Sequence, residues 1–134
     1  MHRSALALLA LLPLCSTAAT PPPSAPEPIV REVMTRPLPE QPGKEALILT
    51  VEYPPGGADP VHRHDAHGFV YVLEGRIVMG VAGGQEITLG PGEAFHEGPA
   101  DVHTVGRNAS STKPAKFVVF LIKDIGKPPV LPPH

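Results

Sequence analysis

The chain holds one cysteine, no tryptophan, and only two tyrosines and four phenylalanines in 134 residues. A lone thiol closes no disulfide within the chain, so stability has to come from core burial or from a bound ion. The six rings (Tyr53, Phe69, Tyr71, Phe95, Phe117 and Phe120) are too few and scattered to make a stacking platform for single-stranded nucleic acid. Charge is scarce as well, at 18% of residues with a formal net charge of −2, which excludes a basic nucleic-acid surface and strong attraction to anionic lipid. No window of a dozen residues carries the helical period. The longest apolar run, Ala5 to Leu14, is too short to span a bilayer. What remains suffices for one compact domain and one site.

Proline is the residue in excess: there are nineteen, of which only six lie between residues 43 and 124. The ends therefore differ in kind from the middle. Residues 1–19 combine His2 and Arg3, the apolar run, and small residues from Ser16 to Ala19. They read as a secretory signal peptide cut after Ala18 or Ala19, which makes the product secreted or periplasmic and removes Cys15 from it. A lipid anchor on Cys15 is disfavoured by Leu14, where a small residue is wanted. Residues 20–28 (TPPPSAPEP) read as a proline-rich linker, 29–125 as the domain, and 126–134 as a proline-rich tail unable to form a regular ladder. With the signal removed, no membrane span is expected.

Within the domain, short β-branched runs separated by Gly and Pro predict an all-β fold with little or no helix. Strands are expected near Ile29–Met34, Ala46–Tyr53, Phe69–Leu73, Arg76–Val81, Gln85–Leu89, Ala94–Glu97, Val102–Gly106 and Lys116–Lys123. Leu47, Leu49, Val51 and Tyr53 alternate with Ile48, Thr50 and Glu52, so that strand has one wet face. Gly83-Gly84 predicts a two-residue hairpin turn and Gly90-Pro91-Gly92 another turn.

Five of the seven histidines fall between positions 62 and 103. His62 and His64 are two apart, and on an extended strand both imidazoles then point to one face, where they can share an ion. The same pattern also arises on a merely solvated face, and His67 and His103 shift the balance toward a metal.

The stretch Gly56 to Gly75, GGADPVHRHDAHGFVYVLEG, resembles the first motif of the cupin superfamily: Gly, five residues, HxH, three or four residues, Glu, six residues, Gly. Gly56, His62, His64 and Gly75 keep its spacing. Gly68 stands where the Glu belongs, with His67 beside it. Gly92 and His103, eleven residues apart, match the second motif, although Pro99 comes one place late, Ala100 replaces a usual Gly, and Asn108 lies one place beyond its expected position. The likeness spans about residues 45 to 123. It implies a cupin-type double-stranded β-helix, a small jelly-roll-like barrel, holding one divalent transition metal ion (Zn, Fe, Mn, Ni or Cu) on His62, His64 and His103. It also implies a homodimer. Position 67 lies at the end of the DAHG turn, where a bulge would re-aim the side chain inward, so His67 is the expected fourth ligand, with a solvated loop residue as the alternative.

Glu97, Tyr71 and His96 are the candidate catalytic groups. Strand alternation lets only one of His96 and Glu97 face inward. Asn108-Ala109-Ser110 matches a glycosylation acceptor, relevant only in a eukaryote. A site of imidazoles with open positions suits a metal-dependent enzyme of dioxygenase, isomerase or lyase type acting on a small oxygen-bearing substrate. A non-catalytic binder or sensor of metal or small ligand is the second class, and a barrel that has lost its site is the third. Fold does not decide among them.

Overall fold

The computed structural model describes residues 23–134. The expected signal peptide and the first residues of the linker lie outside the described residues. Among the described residues there is no helix, and none long and apolar enough to cross a membrane. Nine strands follow one another: β1 (Ile29–Pro37), β2 (Lys44–Tyr53), β3 (His62–Arg63), β4 (Ala66–Glu74), β5 (Ile77–Val81), β6 (Ile87–Leu89), β7 (Ala94–Glu97), β8 (Val102–Asn108) and β9 (Ala115–Asp124). They form a five-stranded sheet in the order β1-β2-β9-β4-β7 and a four-stranded sheet in the order β3-β8-β5-β6. Every pairing is antiparallel. This is the double-stranded β-helix that the motif spacing implies.

The alternation read in the sequence is what builds the core. Leu47, Leu49, Val51 and Tyr53 of β2 are buried, and in β9 the same period buries Ala115, Phe117, Val119 and Leu121. The two strands pair in unbroken register from Lys44↔Asp124 to Tyr53↔Ala115, so the two apolar rows lie side by side facing the smaller sheet. Val70 and Val72 of β4 and Ile77 and Met79 of β5 complete the cluster.

Gly90-Pro91-Gly92-Glu93 closes with a bond from the Glu93 N–H to the Gly90 carbonyl (3.0 Å), with proline second and Gly92 third at φ +85°, the type II pattern. The hairpin at Gly83-Gly84 is wider than expected. Its tight turn runs from Val81 to Gly84, with Gly83 at φ +77° in third place, again type II rather than the primed turns that match strand twist. The β5–β6 ladder accordingly stops at Met79↔Ile87, while Gly80 and Val81 pair with β8 instead.

The tail forms no ladder, yet it docks. Leu131 and Arg63 exchange backbone hydrogen bonds of 2.9 and 3.1 Å. Lys123, buried at the end of β9, donates to Glu45 (2.5 Å) and to the carbonyls of Asp124 (3.2 Å) and Lys127 (2.6 Å), which fixes the chain where the tail departs.

Candidate metal centre

Register brings the histidines together. His62 of β3 sits directly across from His103 of β8, and His64 follows two residues after His62 on the same face. All three are buried, and their nitrogens lie within 4.8 Å of one another, close enough to share one ion. His62 Nε2 is 3.2 Å from His64 Nε2 and 3.3 Å from His103 Nδ1.

The hydrogen bonds of the other ring nitrogens fix which form the His62 and His64 imidazoles take. A carbonyl oxygen only accepts, so His62 Nδ1 donates to the Pro60 carbonyl (2.8 Å), and His64 Nδ1 donates to the carbonyl of Pro129 in the tail. As neutral rings, His62 and His64 would then turn two bare lone pairs on each other at 3.2 Å. A positive charge has to sit on or between them.

The expected Glu at position 68 is absent, and a carboxylate reaches the same place from the next strand. Glu97 of β7 pairs in register with Gly68 of β4. A Cβ on Gly68 would lie 3.0 Å from Glu97 Cγ and 3.1 Å from its Oε1, so the missing side chain is what gives Glu97 its room. Glu97 is 2% exposed, with Oε1 3.2 Å from His64 Nε2 and Oε2 3.6 Å from His103 Nδ1. Its Oε2 and His103 Nε2 are buried polar atoms without a hydrogen-bond partner among the described residues.

Burial alone would push the Glu97 carboxyl up, but the hydrogen bond to His64 and the charges of His103, His64 and His62 hold it below the usual carboxylate value. Burial would likewise lower His64, yet its bonds to Glu97 and to the Pro129 carbonyl hold it above the usual imidazole value. His103 is pushed down, chiefly by burial. In the protein alone, a proton on His64 thus supplies the required positive charge. A divalent ion supplies it for all three rings at once, and would give the orphaned Glu97 oxygen a partner. Three imidazoles and one carboxylate form a donor set suited to Zn, Fe, Mn, Ni or Cu.

Beside the cluster, the buried Tyr53 hydroxyl donates to Asp59. Burial raises both groups, and the neighbouring Asp59 charge adds to the effect on Tyr53. A cavity of about 110 Å³ opens between the sheets, lined by Asp59, the three histidines, Glu97 and apolar residues.

His67 is not part of this centre. Strand β4 is regular through His67, its one irregularity lying between Val72 and Glu74, so no bulge re-aims the side chain. Ala66, Gly68, Val70 and Val72 face in, whereas His67, Phe69, Tyr71 and Leu73 are exposed on the outer face. There His67 Nδ1 lies 3.2 Å from His96 Nε2, and the Phe69 and His96 rings are 4.9 Å apart. Of the candidate catalytic groups, Tyr71 and His96 are therefore outside, and Glu97 is inside. Tyr53, Asp59 and the Pro129 carbonyl are polar neighbours that the sequence reading passed over. Asn108 is buried, its Nδ2 donating to the carbonyls of Tyr53, Pro54 and Lys113, so its amide is not available as a glycan acceptor.

Residues 49–121, more than half of the chain, match the family of the cupin domain. The chain belongs to the cupins. Among solved structures, this cupin is similar to the polyketide cyclase RemF from Streptomyces resistomycificus, at 26% identity over 81% of this chain and 72% of that one, with a TM-score of 0.61. An uncharacterised double-stranded β-helix protein from Klebsiella pneumoniae shares 20% identity over 81% and 88% of the two chains, with a TM-score of 0.63. The DMSP lyase DddQ from Ruegeria pomeroyi shares 24% identity over 64% of this chain, at a TM-score of 0.56. This cupin spans only 42% of the lyase's length. No curated protein sequence matches it significantly.

Proposed function

We propose that this cupin binds one divalent transition metal ion through His62, His64, His103 and Glu97, and is a metal-dependent enzyme acting on a small oxygen-bearing organic substrate. The observation that supports it above others is the pair of carbonyl-tied imidazoles facing each other at 3.2 Å, with an unpartnered Glu97 oxygen beside them. When bound, the ion would act as a Lewis acid toward an oxygen ligand in its remaining positions.

The protein's own groups supply the rest. Pro60 and Pro129 carbonyls orient two rings with Nε2 inward, as ligand imidazoles usually are held. Apolar walls exclude water from the substrate side. Asp59 lines the cavity and accepts a hydrogen bond from the buried Tyr53 hydroxyl behind it, so the pair can hold a proton near the reacting end. Sequence residues 1–19 support export, and the apolar outer face around Phe69, Tyr71 and Leu73 supports a homodimer.

The test is metal content of protein purified without chelators or a histidine tag, in parent and in His64→Ala. About one ion per chain is expected in the parent and far less in the variant, with a lower melting temperature. Equal metal in both would refute the centre. Metal in the parent without turnover of any enolisable or lyase-type substrate would favour a binder or sensor instead.

A further inference from the structure

The cavity wall carries information about the ligand that the metal ligands alone do not. Away from the histidines, Glu97 and Asp59, it is made by Pro60, Leu49, Val51, Val70, Met79, Phe117 and Val119, with half-exposed Val30 and Val130 where it meets solvent. Among the described residues, no lysine, arginine, serine, threonine, asparagine or glutamine lines it. A ligand with a second carboxylate would find no cation there and would meet the acidic side chains of Asp59 and Glu97. A ligand with several hydroxyls along its body would leave those facing valine and phenylalanine without hydrogen-bond partners, since Asp59 can serve only one end of it, a cost that makes such sites discriminate strongly. Size points the same way. At about 110 Å³ the cavity is smaller than the roughly 150 Å³ apolar cavity that accepts benzene in another protein.

We propose that the substrate of this centre is a compact molecule with a single oxygen-donor head and a short, branched or cyclic hydrocarbon body, and that dicarboxylates and polyhydroxylated acids are rejected. The inference rests on the reading of the metal centre given above. The head binds at the histidine and Glu97 end, and the body fills the space between β2, β4, β5 and β9. Glu97 cancels one of the ion's two positive charges, and one carboxylate or enolate on the ligand cancels the other. Selection is therefore made by the wall and not by the ion.

A series with a common 2-hydroxy-acid head tests this: 2-hydroxyisovalerate, glycerate and malate, titrated by calorimetry into nickel-loaded protein. The head makes the same contacts in all three, so differences report the tail. 2-Hydroxyisovalerate is expected to bind at least about tenfold tighter than either of the others, the gain for burying a three-carbon tail. Equal or tighter binding of malate or glycerate overturns the proposal, as does failure of all three to bind the loaded protein. Val30→Arg, at a half-exposed position where a longer side chain is tolerated, should leave nickel content unchanged and strengthen malate about two- to fivefold. An unchanged malate affinity in that variant counts against the wall as the selector. If the parent takes up no nickel, the centre itself has been misread, and the metal count separates that failure from a failure of the wall.

Discussion

The Gly68–Glu97 exchange is open to a direct test by moving the carboxylate back. In Glu97→Gly the centre loses its only acidic ligand and keeps three imidazoles. Structural zinc binding is worth about 10–16 kcal/mol over four ligands, so one ligand carries about 3 kcal/mol, a loss of affinity on the order of a hundredfold. Gly68→Glu alone puts a side chain into space that Glu97 Cγ and Leu121 Cδ2 already fill, at 3.0 and 3.3 Å from the new Cβ. It should destabilise the fold by about 1–3 kcal/mol through overpacking. Gly68 is not in the left-handed region, so backbone strain adds nothing. Combined, the two changes relieve each other: the carboxylate returns to β4 and the space left on β7 receives it. The double variant should recover most of the hundredfold, a coupling of about 2–3 kcal/mol between directly paired residues. Competition against a chromophoric zinc chelator gives the affinity, and thermal melts of metal-free protein give the stability. Additive effects, with the double variant no better than Glu97→Gly, would refute the view that the two positions share one ligand site.

Further outcomes follow from other parts of the molecule. In metal-free protein His64 is held above its ordinary value of 6.5 and Glu97 below its ordinary 4.5, so their pairing is complete between those values. Its contribution to stability fades as pH rises through the raised His64 value or falls through the lowered Glu97 value. Stabilisation by added zinc should instead grow between about pH 6 and about pH 8, because the metal competes with that proton; melts showing the same slope with and without metal would contradict this. Deleting residues 128–134 removes the acceptor for His64 Nδ1 and should weaken zinc binding about 10- to 100-fold, whereas unchanged affinity would show that the tail carbonyl is dispensable. Asn108→Ala strands three backbone carbonyls that its amide now satisfies, and should cost about 2–4 kcal/mol, or roughly 10 °C in melting temperature, with metal affinity little changed.

Much of this was legible in the residues. The alternation in β2, the HxH pair and the Gly92–His103 spacing locate the barrel and its three imidazoles, because strand period and motif distance are local properties. The proposed fourth ligand was not legible in that way. Sequence places His67 next to the vacant motif position, but adjacency along a strand means opposite faces, whereas Glu97, 29 residues downstream of Gly68, is its neighbour across the ladder. The one hint was that His96 and Glu97 cannot both face inward. The hairpin at Gly83 departs from expectation for a related reason: two glycines permit several turn types, and Gly80 and Val81 at the end of β5 pair with β8 rather than with β6. A proline-rich tail predicts no ladder, yet proline keeps its carbonyl, and that acceptor is what His64 uses.

The same tail has a second bearing on the molecule. β3 is only two residues long and stands at the margin of the smaller sheet, with β8 on one side. Its other side would present the backbone of Arg63 to any extended chain in solution, a template for pairing between molecules. Leu131 occupies that place and takes both the N–H and the carbonyl of Arg63. Pro128, Pro129, Pro132 and Pro133 flank it, and none has an N–H with which to recruit the next strand. The segment thus ends the sheet as well as covering it, and closes the open edge of the histidine-bearing strand to pairing with another chain.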